Sequence, residues 1–145
     1  MSRPRYHLAA ALGLALVLQV PVAAADDCAA GFQDGWARLP PVEMPVLGGF
    51  GTLHNPCDSE MVLTGASSPD FEDVQVHETR LDDGMMRMRE VGSLAIPAGG
   101  SVALAPGALH LMLMRPVRAL VAGDEVELGF EFADGTTVSA RLEVR

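Results

Sequence analysis

Leu109-His110-Leu111-Met112-Leu113-Met114 is the stretch whose reading decides the fold class. Side chains alternate across a strand, so Leu109, Leu111 and Leu113 share one face and His110, Met112 and Met114 the other. Six residues of strict alternation are the signature of a half-buried strand. The leucines make the natural core face. That leaves an imidazole and two thioethers pointing away from it, where core packing does not explain a methionine. His110 and Met112, two positions apart on one face, are close enough to meet at a single ion.

Working outward, short apolar stretches alternate with Gly- and Pro-rich turn signals, and no segment shows sustained helical periodicity. This pattern predicts an all-β sandwich or barrel. Strands are expected near Gly49–His54, Met61–Ala66, Val74–Arg80, Met85–Val91, Ser101–Ala105, Leu109–Met114, Glu125–Phe132 and Val138–Val144. Asp82-Asp83-Gly84 and Ala133-Asp134-Gly135 read as hairpin turns. Pro97-Ala98-Gly99-Gly100 and Pro106-Gly107 read as loops. Residues 26–47, with Pro40, Pro41 and Pro45, read as an irregular lead-in. There is no internal repeat, and residues 26–145 form one domain.

Residues 1–25 read as a cleaved signal peptide rather than as fold. Arg3 and Arg5 precede an apolar run from Leu8 to Val20, and Ala23-Ala24-Ala25 offers a cleavage site. The run falls short of the roughly 20 residues a membrane-spanning helix needs. Asp27 before Cys28 is unlike a lipoprotein signal, so no membrane anchor is expected after cleavage. The destination is the periplasm. Loss of the two leader arginines takes the formal charge from −9 to −11, and the chain has no lysine. Such a surface excludes a nucleic-acid partner, whose binding needs basic residues to displace counterions; solubility is its plainest use. Cys28 and Cys57 suit a disulfide in an oxidising compartment. A thiol metal site or redox pair is the alternative, although no Cys-x-x-Cys spacing supports it.

Two further stretches carry soft donors. In Met85-Met86-Arg87-Met88-Arg89, Met86 and Met88 share a face opposite the arginines. In the strand around Val74 and Val76, which point inward, His77 points the other way. Imidazole and thioether together select monovalent copper among biological metals. A thioether has no proton to lose and does not form a disulfide, which suits a carrier outside the cytoplasm; its liability is oxidation to the sulfoxide. Taken singly, Met112 reads as a flexible core filler and each histidine as an exposed surface residue. Met85, Met86 and Met114 read as core or as support around the ligands, with Met114 the best reserve ligand. His54 reads as a turn residue, and His7 is lost with the leader.

His77, Met88, His110 and Met112 are separated by ten, twenty-one and one residues. The same residue types at these spacings mark the periplasmic copper chaperone family written PCu(A)C, which this sequence resembles from about Asp34 to its end. Asp34-Gly35-Trp36-Ala37-Arg38 is similar to the family's first-strand motif. Gly65-Ala66-Ser67-Ser68-Pro69, His77-Glu78-Thr79, Met86-Arg87-Met88-Arg89, Ile96-Pro97-Ala98-Gly99-Gly100, Pro106-Gly107 and Gly123-Asp124 resemble other family segments. The resemblance implies a cupredoxin-like Greek-key β-sandwich or barrel and one Cu(I) per chain, held by His77, Met88, His110 and Met112. It also implies delivery to the CuA centre of cytochrome c oxidase, with a Sco-type copper protein and oxidase subunit II as partners of a monomer. The two cysteines and the glycine-rich Phe50-Gly51-Thr52-Leu53 depart from the family pattern. No His- and Met-rich tail follows the last strand, so a second copper site of that kind is not expected.

Other functions fit less well. A copper buffer or resistance protein without a client would need the same site. A blue-copper electron carrier needs a Cys thiolate beside two His, and no Cys lies near His110. No nucleophile–base pair, carboxylate constellation or cofactor loop suggests an enzyme.

Overall fold

A computed structural model describes residues 28–145, and the leader read from the sequence lies outside them. Ten strands are present: β1 (Gly31–Arg38), β2 (Val46–His54), β3 (Met61–Ser67), β4 (Phe71–Asp82), β5 (Met85–Glu90), β6 (Leu94–Ile96), β7 (Ser101–Leu104), β8 (Leu109–Pro116), β9 (Glu125–Phe132) and β10 (Thr137–Val144). No helix occurs among the described residues. The fold class is the all-β, cupredoxin-like barrel that the sequence implies.

Neighbours run β4-β8-β2-β1-β10-β9-β3, and the Ala66–Val74 pairing of β3 with β4 closes the ring. Seven strands therefore form the barrel, with β5, β6 and β7 as additions along its edges. Alternation fills it. Val74 and Val76 of β4, Leu111 and Leu113 of β8, Val126, Leu128 and Phe130 of β9, and Leu142 and Val144 of β10 are all buried in one core. Each such side chain stabilises the fold by about 1.5–3 kcal/mol relative to exposure.

Two elements differ from the sequence reading. Gly31–Arg38, inside the stretch expected to be irregular, is a strand paired with both β2 and β10. Its register with β2 shifts between Gln33 and Trp36, and Asp34 there has φ of 54°. That irregularity breaks the period of two and hides the strand. β6 has three residues, too few to show alternation.

Cys28 and Cys57 form a disulfide that ties the start of the described chain to the loop after β2. In that loop Asn55 is fully buried. Its amide nitrogen donates to the carbonyls of Ser59 and Ile96, at 2.8 and 3.0 Å, and its oxygen accepts from the Cys57 N–H.

The β4–β5 hairpin extends past the barrel. Asp83 and Gly84 at its turn have φ of 48° and 79°, the two left-handed residues a tight hairpin turn requires. Every residue of β5 is exposed, and β5 pairs only with β4, so its outer edge is free.

Candidate metal centre

Register places the sequence-predicted ligands on one face of three adjacent strands. His77 of β4 lies directly opposite His110 of β8. Met112 is opposite Gln75 on β8's side, and Met88 of β5 is opposite Thr79 on the other. Both methionines thus sit diagonally to His77, a separation that long side chains bridge. Core packing on the reverse side fixes this face: Val74, Val76, Leu111 and Leu113 are buried, so their strand neighbours point away. The imidazole centroids are 6.1 Å apart. Two imidazoles sharing an ion at a metal–nitrogen distance of about 2.0–2.1 Å have centroids roughly 5–6 Å apart, so the observed pair is close to a bound spacing.

Hydrogen bonds decide which nitrogen each ring offers. Gln75 Nε2 donates to Asp73 Oδ2 at 3.0 Å, which turns Gln75 Oε1 toward His77. An amide oxygen only accepts, so His77 Nε2–H donates to it at 2.9 Å. His77 Nδ1 is then the bare lone pair, and it is buried without a hydrogen-bond partner. A buried polar atom left unpaired costs about 1–3 kcal/mol, and a metal ion would satisfy it. On the other strand, His110 Nδ1–H donates to the Ala108 carbonyl at 2.9 Å, leaving Nε2 as its ligand atom. Such partners fix ring orientation and tautomer at metal sites. Asp73 and Gln75 escaped the sequence reading, although their positions four and two residues before His77 place them on its face.

The four residues differ in access. His110 is only 7% exposed, so it faces away from the barrel core yet is not a surface residue as its alternation suggested. Phe50 is buried on the same outer side of β2, with its ring 4.6 Å from that of Trp36 and the Arg38 guanidinium 5.2 Å away. Gly48 lies opposite Met112, and a Cβ there would come within 2.9 Å of the Phe50 ring. The missing side chain leaves room for the ring to fold back over Gly48. Met88, by contrast, is 59% exposed at the free edge.

The extra sulfurs fall differently from the sequence reading. Met85 and Met86 are 55% and 63% exposed, not core; hairpin residues beyond the barrel have nothing to pack against. Met114 is half-buried on the ligand face but opposite Asp73. Four residues from His110, it is about 13 Å along the strand, too far to serve as reserve ligand for an ion between the imidazoles.

Charge is segregated on the hairpin. Arg80, Arg87 and Arg89 project from the face opposite the ligands, where Arg80 and Arg89 bond Glu78 at 2.6 and 3.2 Å. The Arg80 hydrogen bond, helped by Arg89, holds the Glu78 carboxyl below its usual range. The ligand face of β4 and β5 carries no cationic side chain to repel a metal ion. Among the described residues no three His, Cys, Asp or Glu side chains converge on a metal position.

Comparison with known proteins places the chain in a family. The profile of the LpqE-like family, a lipoprotein family that is the PCuAC family, matches residues 31–144. The chain belongs to this family. A relative with a lipoprotein name, Lxx21020 of Leifsonia xyli subsp. xyli, is 35% identical over 97 residues, covering 66% of this chain and 58% of that protein. RP573 of Rickettsia prowazekii is 31% identical over 96 residues, covering 66% and 53%. The chain thus spans little more than half the length of these curated relatives. Among solved structures, Cu(I)-bound DR1885 from Deinococcus radiodurans is 28% identical, with a TM-score of 0.63 and coverage of 83% of this chain and 81% of that one. The copper-bound PCuAC domain of PmoF2 shares the fold at 22% identity, with a TM-score of 0.66 and coverage of 80% and 92%.

Proposed function

We propose that this protein is a periplasmic Cu(I) carrier that holds one ion between His77, Met88, His110 and Met112 and passes it on by ligand exchange. The observation that carries the reading is the opposed imidazole pair, each ring offering one bare nitrogen, with a thioether diagonal to it on either side. Family membership and the likeness to a Cu(I)-bound structure support it.

All four donors are neutral and soft, which favours monovalent copper over zinc. Access orders the exchange. Exposed Met88 is the donor that faces an acceptor's ligands, while buried His110 is reached only from within the site. Copper stays Cu(I) through the exchange, and any proton released comes from the acceptor's own ligands, such as thiols. Delivery to the CuA centre of cytochrome c oxidase, alongside a Sco-type protein, is the client reading that the resemblance favours; the protein acts as a carrier, not as an enzyme.

Anaerobic Cu(I) competition titration tests the site. The protein should bind one equivalent tightly, and Met88→Leu should lose tight binding with an unchanged circular dichroism spectrum. Wild-type affinity in that variant would sink the four-ligand site. Incubating the loaded carrier with the copper-free, thiol-reduced subunit II domain should then transfer Cu(I), seen as the CuA absorption once the product is oxidised by one electron with ferricyanide. Tight binding without transfer would favour a buffer.

A further inference from the structure

Met86 is left over by the four-ligand centre. It is 63% exposed, lies two residues before Met88 on the same face of β5, and its cross-strand neighbour is Leu81 near the hairpin tip. The thioether contributes nothing to the barrel core. Exposure alone does not mark it, since single exposed apolar side chains are ordinary. What it does have is a soft sulfur beside a second soft sulfur. Residues two apart on a strand have side chains about 6.5–7 Å apart at their base. Each methionine has three rotatable side-chain bonds, so the two sulfurs can converge on one ion without moving the backbone. Nothing cationic shares this face of the hairpin, since Arg80, Arg87 and Arg89 occupy the reverse side with Met85.

We propose that Met86 and Met88 form an outer two-thioether landing site through which Cu(I) enters and leaves the inner centre. The inference rests on the carrier reading above and adds the route. An arriving ion is held by the Met86 and Met88 sulfurs. Met88 stays bound while His77 Nδ1, His110 Nε2 and the Met112 sulfur replace Met86. Release runs the same steps in reverse. Copper remains Cu(I) throughout, and no proton is gained or lost. The arrangement answers a problem of access: two of the four inner donors, His110 and the His77 Nδ1 atom, are buried, so a solvated ion meets the exposed end of the ligand face first.

The test separates sulfur chemistry from apolar contact. Methyl-labelled methionine NMR of the disulfide-intact protein, titrated anaerobically with Cu(I), reads each thioether directly. In a His77→Ala/His110→Ala variant, the Met86 and Met88 methyl signals should still move together, with weaker affinity than wild type. Stopped-flow transfer to a chromogenic Cu(I) chelator should slow about tenfold in Met86→Leu, the scale on which supporting groups act at metal sites. Met85→Leu, on the reverse face, should transfer at the wild-type rate. Leucine keeps the apolar surface and removes only the sulfur. An unchanged rate in Met86→Leu, or a silent Met86 methyl in the double-His variant, would overturn the landing site. Absence of tight binding in the wild type would instead sink the carrier reading, while the Met86 methyl still reports the outer pair.

Discussion

At the scale of single residues, the histidine pair depends on groups that never touch the metal position. The chain Asp73–Gln75–His77 holds the ring by Nε2 and leaves Nδ1 as its unpartnered nitrogen. Replacing Gln75 by Leu removes the acceptor for Nε2–H and frees the ring to rotate and to change tautomer. Cu(I) affinity should fall about 10–100-fold, the usual cost of losing such a partner, while Gln75→Glu, which keeps an acceptor, should retain most of it. Competition titration measures the affinity, and imidazole nitrogen chemical shifts of the copper-free protein report the tautomer. Wild-type nitrogen shifts in Gln75→Leu would show that the hydrogen bond does not set it. This layer was only half legible in the sequence. Alternation around Leu109–Met114 and Val74–His77 showed which face the ligands take, because period-two patterning is local. The burial of His110 was not legible, because exposure on a strand's outer face depends on neighbouring strands rather than on local alternation.

Among the elements, the β4–β5 hairpin decides whether Met88 can join the other donors. Met88 belongs to a strand with no packed face, so its position comes from the ladder with β4 and from the turn. Gly84 has φ of 79°, a conformation that costs an L side chain energy although a Cβ there would meet no atom. Gly84→Ala should therefore destabilise the hairpin by about 1 kcal/mol through backbone strain alone. Hydrogen exchange at β5 amides should accelerate while barrel amides stay protected. Cu(I) affinity should fall with it, because the Met88 sulfur is then held less often beside His77. Faster β5 exchange with unchanged affinity would mean that Met88 contributes little binding. The Asp82-Asp83-Gly84 turn was readable in advance because its chemistry is local. β1 was readable only through its likeness to the family's first-strand motif, because a bulge at Asp34 interrupts its alternation and one of its two partners, β10, comes from the far end of the chain.

For the molecule as a whole, stability and copper binding rest on separate parts of the barrel. Part of the acid sensitivity lies in the loops far from the ligands. The Asp124 carboxylate accepts the Val121 N–H at 3.0 Å and pairs with Arg118 at 3.0 Å, which holds its pKa below the ordinary 3.8. A group whose pKa is lowered on folding stabilises above its unfolded value, and that stabilisation disappears as pH falls through the folded value. The stability gap between wild type and Asp124→Asn, read by urea denaturation, should be full near neutrality and close below about pH 3.8. The disulfide is the other staple. Cys28 and Cys57 are 29 residues apart in sequence, and opening a loop of that size costs about 3–4 kcal/mol in the chain-entropy model. It joins the chain ahead of β1 to the loop after β2, whereas the ligands stand on β4, β5 and β8. Cys28→Ser/Cys57→Ser should therefore lower the denaturation midpoint sharply and leave Cu(I) affinity at the wild-type level under conditions where the variant is folded. A matching loss of affinity would show instead that the staple positions the ligand face, through β2 and its pairing with β8.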